Sequence, residues 1–182
     1  MKKILLLCVL LNLAMSGCGG SSGSTTELRT VYLTSTPSSD RLEADVLTGN
    51  SCSTGTGGTY TTETIPINVT STSYTNSDKK SPVTINSIAI SYSKYVPSSS
   101  VPALPTQYDS GVTINPDETK TFAVKVAPDK LKLDMVNLYG FNLCSSDYWE
   151  YFATITFNGV ENYGGKSVSF STVVKVAFAD RN

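Results

Sequence analysis

The chain has 182 residues, with 14 lysines and arginines against 15 aspartates and glutamates, a formal charge of −1 and no histidine. So weak an acidic balance excludes nonspecific nucleic-acid binding, which rests on basic patches that neutralise phosphate. The lack of histidine excludes the imidazole base of Ser-His-Asp and Cys-His catalysis, the common zinc shells and haem ligation through histidine.

The chain opens on the pattern of an export signal. Met1-Lys2-Lys3 leads into an apolar run over residues 4–14, interrupted by Asn12, and then the small residues Ser16 and Gly17. Charged, apolar and small-residue segments in that order are those of a secretory signal peptide. As a helix the apolar run extends about 16 Å, well short of the roughly 30 Å hydrocarbon core, so it does not read as a permanent membrane span. Met15-Ser16-Gly17-Cys18 resembles the lipobox of bacterial lipoproteins, in which small residues precede an invariant cysteine. That resemblance implies a thioether-linked diacylglycerol on Cys18, cleavage before it and acylation of the new amino terminus. Leucine is usual three residues before the cysteine, where this chain has Met15. Residues 1–17 are then the signal peptide, and three acyl chains would hold Cys18 stably at a membrane, where a single chain binds only marginally.

Residues 18–27 comprise the lipidated cysteine and a Gly/Ser/Thr tether, which has nothing to bury and reaches about 16 Å as a flexible coil over eight residues. In lipoproteins of Gram-negative bacteria an aspartate just after the cysteine tends to retain the protein at the inner membrane. Gly19 stands there, so the resemblance implies the outer membrane of the cell envelope, with either leaflet compatible. Loss of Lys2 and Lys3 with the signal makes the formal charge −3.

Residues 28–182 are within the size range of one domain and read as β almost throughout. Candidate strands are 28–34, 42–47, 59–70, 83–92, 111–114 and 121–126. In the third, Pro66 lacks an amide donor and favours an edge or a bulge. In the fourth, the apolar parity shifts between Ile85 and Ile88, as one extra residue at Asn86-Ser87 causes. The longest basic cluster, Lys79-Lys80, reads as part of a solvated turn between Asn76-Ser77-Asp78 and Ser81-Pro82. Residues 97–105, PSSSVPALP, read as an extended surface loop, and residues 129–136 as a helix of barely two turns. The strongest alternation comes last. Trp149, Tyr151, Ala153, Ile155 and Phe157 share one parity, as do Val168, Phe170, Thr172, Val174, Val176 and Phe178. A period of two over this length means strands with one buried face, and Asn158-Gly159 to Gly164-Gly165 supplies turn residues for a hairpin. The expected fold is a single all-β, antiparallel sandwich of about seven to nine strands.

A second resemblance rests on GVTINPDETKTFAVKV, residues 111–126, which is similar to the strand, proline turn and strand of immunoglobulin-like and fibronectin-type domains of bacterial surface proteins. The final hairpin resembles the last two strands of such domains. Asp117 stands where glycine is common. Antibody hallmarks are missing: Cys52 and Cys144 lie in loop-like stretches, and the only tryptophan, Trp149, follows both.

Of the four cysteines, Cys8 leaves with the signal and Cys18 carries the lipid, so Cys52 and Cys144 remain as a candidate disulfide. A bridge closing a loop of about 90 residues stabilises by about 4–5 kcal/mol in the chain-entropy estimate, and export places it in an oxidising compartment. No metal site is expected, since two thiols without histidine rarely complete a zinc shell, and no DxDxDG loop suggests calcium. The nearest carboxylate pairs, Asp117-Glu118 and Asp147 with Glu150, do not by themselves make a catalytic dyad, and serines without an activating base read as solvent-facing. Catalytic residues are therefore not expected. Within the aromatic cluster Tyr139, Phe141, Tyr148, Trp149, Tyr151 and Phe152, Tyr148 and Phe152 fall opposite the core parity and are the candidate ligand or partner contacts.

The expected function is that of a membrane-anchored envelope lipoprotein acting without catalysis as a structural, accessory or adhesion module. It carries no cofactor beyond the covalent lipid on Cys18, and its expected partners are the membrane, through that lipid, and an envelope protein or polysaccharide. The alternative is a β-sandwich module that binds carbohydrate or another ligand through exposed aromatics. An open strand edge favours the first, and a concave site walled by Tyr148 or Phe152 favours the second.

Overall fold

A computed structural model describes residues 30–74, 79–97, 99–109 and 111–181. Cys18, the tether and the signal segment lie outside the described residues. Among the described residues the elements in chain order are β1 (Val31–Pro37), β2 (Arg41–Asp45), β3 (Thr48–Ser51), β4 (Thr56–Thr59), β5 (Glu63–Ser73), β6 (Val83–Lys94), β7 (Gln107–Asp109), β8 (Thr113–Ile114), β9 (Thr119–Ala127), α1 (Asp129–Asn137), β10 (Tyr148–Glu161) and β11 (Ser167–Ala179). None of the helical structure among them is long and apolar enough to cross a membrane.

The strands form an all-β sandwich of packed sheets. One sheet has the order β1-β5-β9; the other runs β2-β11-β10-β6-β7, with β8 also on β6. After β1 the chain crosses at Ser38–Asp40 to the second sheet, where β2 lies parallel to β11. The other strand pairs are antiparallel. Ile65, Ile67, Val69, Val124 and Val126 of the smaller sheet and Ile88, Ile90, Tyr151, Ile155, Phe157, Val174, Val176 and Phe178 of the larger are all buried. Phe122 meets Phe157 edge to face across the interface at 6.0 Å, and the Tyr92 hydroxyl donates to the Val126 carbonyl at 2.6 Å. The strands number eleven rather than seven to nine, because the loop-like TGNSCSTGTGG stretch contains the β3–β4 hairpin and β7 adds a short edge.

The parity shift in β6 is a bulge at the expected place. Asn158 stands opposite Ser87 and Gly159 opposite Ile85, so Asn86 is the extra, exposed residue. Gly159 accordingly lies inside β10, and the hairpin turn comes later, at 162–166. A Cβ on Gly159 would sit 2.3 Å from the Thr84 carbonyl oxygen, and one on Gly111 would sit 2.1 Å from that of Ile85. Both glycines thus let backbone approach the bulge more closely than any side chain allows.

Pro66 overturns the expectation of an edge or bulge: it lies in β5, the middle strand of its sheet. Its carbonyl accepts from the Ser38 amide at 2.8 Å, where β1 has just ended. The amide it lacks therefore points to the last rung of the β1 ladder, and the cost is one terminal hydrogen bond. Asp117, in a glycine-like position, has a left-handed φ of +57°. Its carboxylate accepts from Lys80 at 2.6 Å and from the Ser73 amide at 2.8 Å. These contacts, Lys80 first, pull its pKa down to about 2. Lys80 is thus engaged in an ion pair across the turn; residues 75–78 of that turn lie outside the described residues.

Helix α1 is tied down by a lysine. Lys132 is completely buried, and its ammonium donates to the Asp45 carbonyl and the Glu63 carboxylate, both at 2.7 Å. The same carboxylate oxygen accepts from the Asp45 amide at 2.9 Å. One ion pair thereby joins the helix to β2 in one sheet and β5 in the other, with the buried charge paired and hydrogen-bonded as burial requires.

Replacing Gly159 by alanine tests the bulge. The backbone clash is expected to cost about 1–3 kcal/mol and to lower Tm by roughly 5–10 °C in a thermal melt. An unchanged Tm would mean that β6 and β10 separate freely there.

Candidate functional site

The register of β10 decides which aromatic rings reach solvent. Tyr151 is buried and donates its hydroxyl to the Pro102 carbonyl at 2.9 Å; burial pushes its pKa up. Phe141 is buried, with Trp149 edge-on at 5.0 Å, while Trp149 and Tyr139 are half-buried against the core. Tyr148 and Phe152, on the other parity, are 44% and 37% exposed on the outer face of the larger sheet.

Around them the pairing of strands assembles residues that lie far apart in sequence. Lys175 stands opposite Phe152, and Arg41 of β2 stands opposite Lys175. The Tyr95 amide donates to the Glu150 carbonyl at 3.0 Å, which places Tyr95 alongside β10. Its ring packs on Phe152 at 5.1 Å between centroids, and the Lys175 ammonium lies 3.6 Å from its centroid. Such a cation is attracted by the negative face of the ring. Lys175 also pairs with Glu150 at 2.6 Å, and this hydrogen bond raises its pKa. Arg41 contacts Glu43 and the Tyr148 hydroxyl and lies 3.8 Å from Glu150; Arg181 reaches Glu43. The cations here thus meet carboxylates of the same patch. Tyr95, Tyr148, Phe152 and Val173 are the exposed large apolar side chains of this patch. Tyr and Arg in this density are typical of binding hot spots. Sequence reasoning found Tyr148 and Phe152 but missed Tyr95, Arg41 and Lys175. The outward parity of Lys175 with Ser167, Ser169 and Ser171 was the one available signal.

Cys52 and Cys144 are joined in a disulfide, with Cα atoms 5.3 Å apart. Asp180 completes a group in which ligand-type atoms lie within 4.8 Å of one another. The sulfurs are bonded to each other, and the Asp180 carboxylate accepts from the Cys144 amide and from Asn50 Nδ2, the latter at 3.0 Å. Chemically this is a clasp joining three loops. The two carboxylate pairs singled out from sequence are also used separately. Asp117 meets Lys80, Glu118 accepts from the Asn115 amide at 2.7 Å, Asp147 accepts from the Asn142 amide at 2.8 Å, and Glu150 meets Lys175. Cys18 lies outside the described residues.

Comparison with protein-family models, with curated proteins and with solved structures finds no match for this chain.

Replacing both Cys52 and Cys144 by serine should lower Tm by on the order of 10 °C, because the unfolded chain regains the freedom of a long closed loop. Calorimetry under oxidising conditions would show it. An identical Tm would remove the bridge from the list of stabilising contacts.

Proposed function

We propose that the protein is a lipid-tethered module of the bacterial cell envelope that works by contact rather than catalysis, meeting an envelope protein through the Tyr95, Tyr148 and Phe152 face. The supporting observation is the geometry of β10. At one end of this strand the Glu161 carboxylate accepts from the amides of Thr30 and Val31, at 3.0 and 3.3 Å, where the chain enters the sandwich. At the other end stands Tyr148. The fourteen residues of β10 span roughly 40 Å at about 3.3 Å per residue. A lipid on Cys18 would enter at the Glu161 end, so the aromatic patch would lie at the end of the sheet remote from the tether. The outward rings also support the alternative of a polysaccharide ligand, because exposed aromatic faces stack on sugars.

Intact-mass analysis of membrane-extracted protein should give Cys18 to Asn182 plus a triacyl modification, and Cys18→Ser should move a folded body to the soluble fraction. A photoreactive residue at position 148 should capture an envelope protein, and Phe152→Ser should abolish the adduct. Capture of glycan instead would transfer the face to the alternative reading. An unlipidated mass, or normal anchoring with no adduct at all, would overturn the proposal.

A further inference from the structure

The β3–β4 hairpin differs from the rest of the body in what holds it. None of residues 48–59 is buried and none contributes to the core, and Gly49, Gly55, Gly57 and Gly58 all have positive φ. It is held down by the Cys52–Cys144 bridge and by Asn50 Nδ2, which donates to Asp180 and lies 3.8 and 3.6 Å from the two sulfurs. The segment on the other side of the bridge is anchored independently. Phe141 is buried and its amide donates to the Met135 carbonyl at 2.9 Å. Asn142 donates twice to Asp147, at 2.8 and 3.0 Å, and Ser145 Oγ donates to the Asn142 carbonyl at 2.6 Å. Cys144 itself is exposed, in a left-handed backbone conformation with φ +57° that a cysteine adopts at a cost.

We infer that the bridge is a releasable clasp: a dithiol reductant opens it and frees the β3–β4 hairpin while the sandwich stays folded. A thiolate of the reductant attacks the sulfur of Cys144, the exposed residue of the pair. The Cys144–Cys52 bond breaks, and Cys52 leaves as a thiolate that takes up a proton. The second thiol of the reductant then attacks its own sulfur in the mixed disulfide, and Cys144 leaves and is protonated. The protein gains two electrons and two protons; the reductant departs as its own disulfide. What then remains is the ladder between β3 and β4, the Thr48–Thr61 hydroxyl contact and the Asn50–Asp180 contact, set against the conformational entropy of ordering residues 48–59. The hairpin begins three residues after Asp45, which pairs with Ala179, itself the partner of Tyr148. Opening therefore remodels the end of the molecule that carries the aromatic patch.

Hydrogen exchange read by mass spectrometry on the detergent-extracted full protein, with and without excess dithiothreitol at neutral pH, tests this. Exchange in peptides covering residues 48–59 should quicken by at least about tenfold on reduction and return on reoxidation, while peptides of β6, β10 and β11 stay protected over the time in which the hairpin exchanges, quickening only as far as the lower global stability allows. The Cys52→Ser, Cys144→Ser double variant should show the fast pattern without reductant. Unchanged hairpin exchange in the reduced protein would overturn the inference. So would parallel loss of protection in the three core strands, or a bridge that resists reduction while the protein is folded.

Discussion

Along β10 alternate residues, Tyr151, Ala153, Ile155 and Phe157, are removed from water while Tyr148 and Phe152 stand out into it. A slip of one residue against either neighbour would exchange these two sets. Two features hold the register: thirteen antiparallel positions shared with β11, and the bulge at Asn86, where Gly159 admits the Thr84 carbonyl. The core and the exposed face are therefore consequences of one alignment. Tyr148 and Phe152 are surface residues because Tyr151 and Phe157 are core residues.

Around that strand the molecule is closed by polar contacts at its ends. Lys132 draws α1, β2 and β5 together at the Tyr148 end, and Glu161 grips the start of β1 at the other. A buried ammonium shared between a carboxylate and a carbonyl gains little over an apolar substitute, but losing either partner is costly. Its contribution is to fix one docking of the helix across the seam between sheets. That same end carries the disulfide and the aromatic patch, so the loops least supported by core packing surround the face proposed for contact.

Period-two alternation made β10 and β11 legible in the sequence, together with the extra residue in β6 and the outward placement of Tyr148 and Phe152. Those are local patterns, set by which face of a strand meets the core. Pairing between distant segments was not legible. Pro66 looked like an edge residue because proline removes a donor, yet its vacant position coincides with the end of β1, which no local pattern reveals. The β3–β4 hairpin buries no apolar residue, so it left no alternation to find. Lys132 sits in a short polar helix where no local pattern marks it for burial, because its partners, Glu63 and the Asp45 carbonyl, lie far away in sequence. Half of the candidate site has the same origin: Arg41 of β2, Lys175 of β11 and Tyr95, which directly follows β6, are made neighbours of Phe152 only by the sheet order.

The molecule has an axis, with the chain entering beside Glu161 and the aromatic patch at the far end of β10. Fluorescence quenching by headgroup-labelled lipid measures it directly, with the membrane-extracted protein in vesicles and a probe at position 148 or at position 162. Strong quenching at 162 and weak quenching at 148 are expected of this axis. Equal quenching at both positions, or stronger quenching at 148, would contradict it.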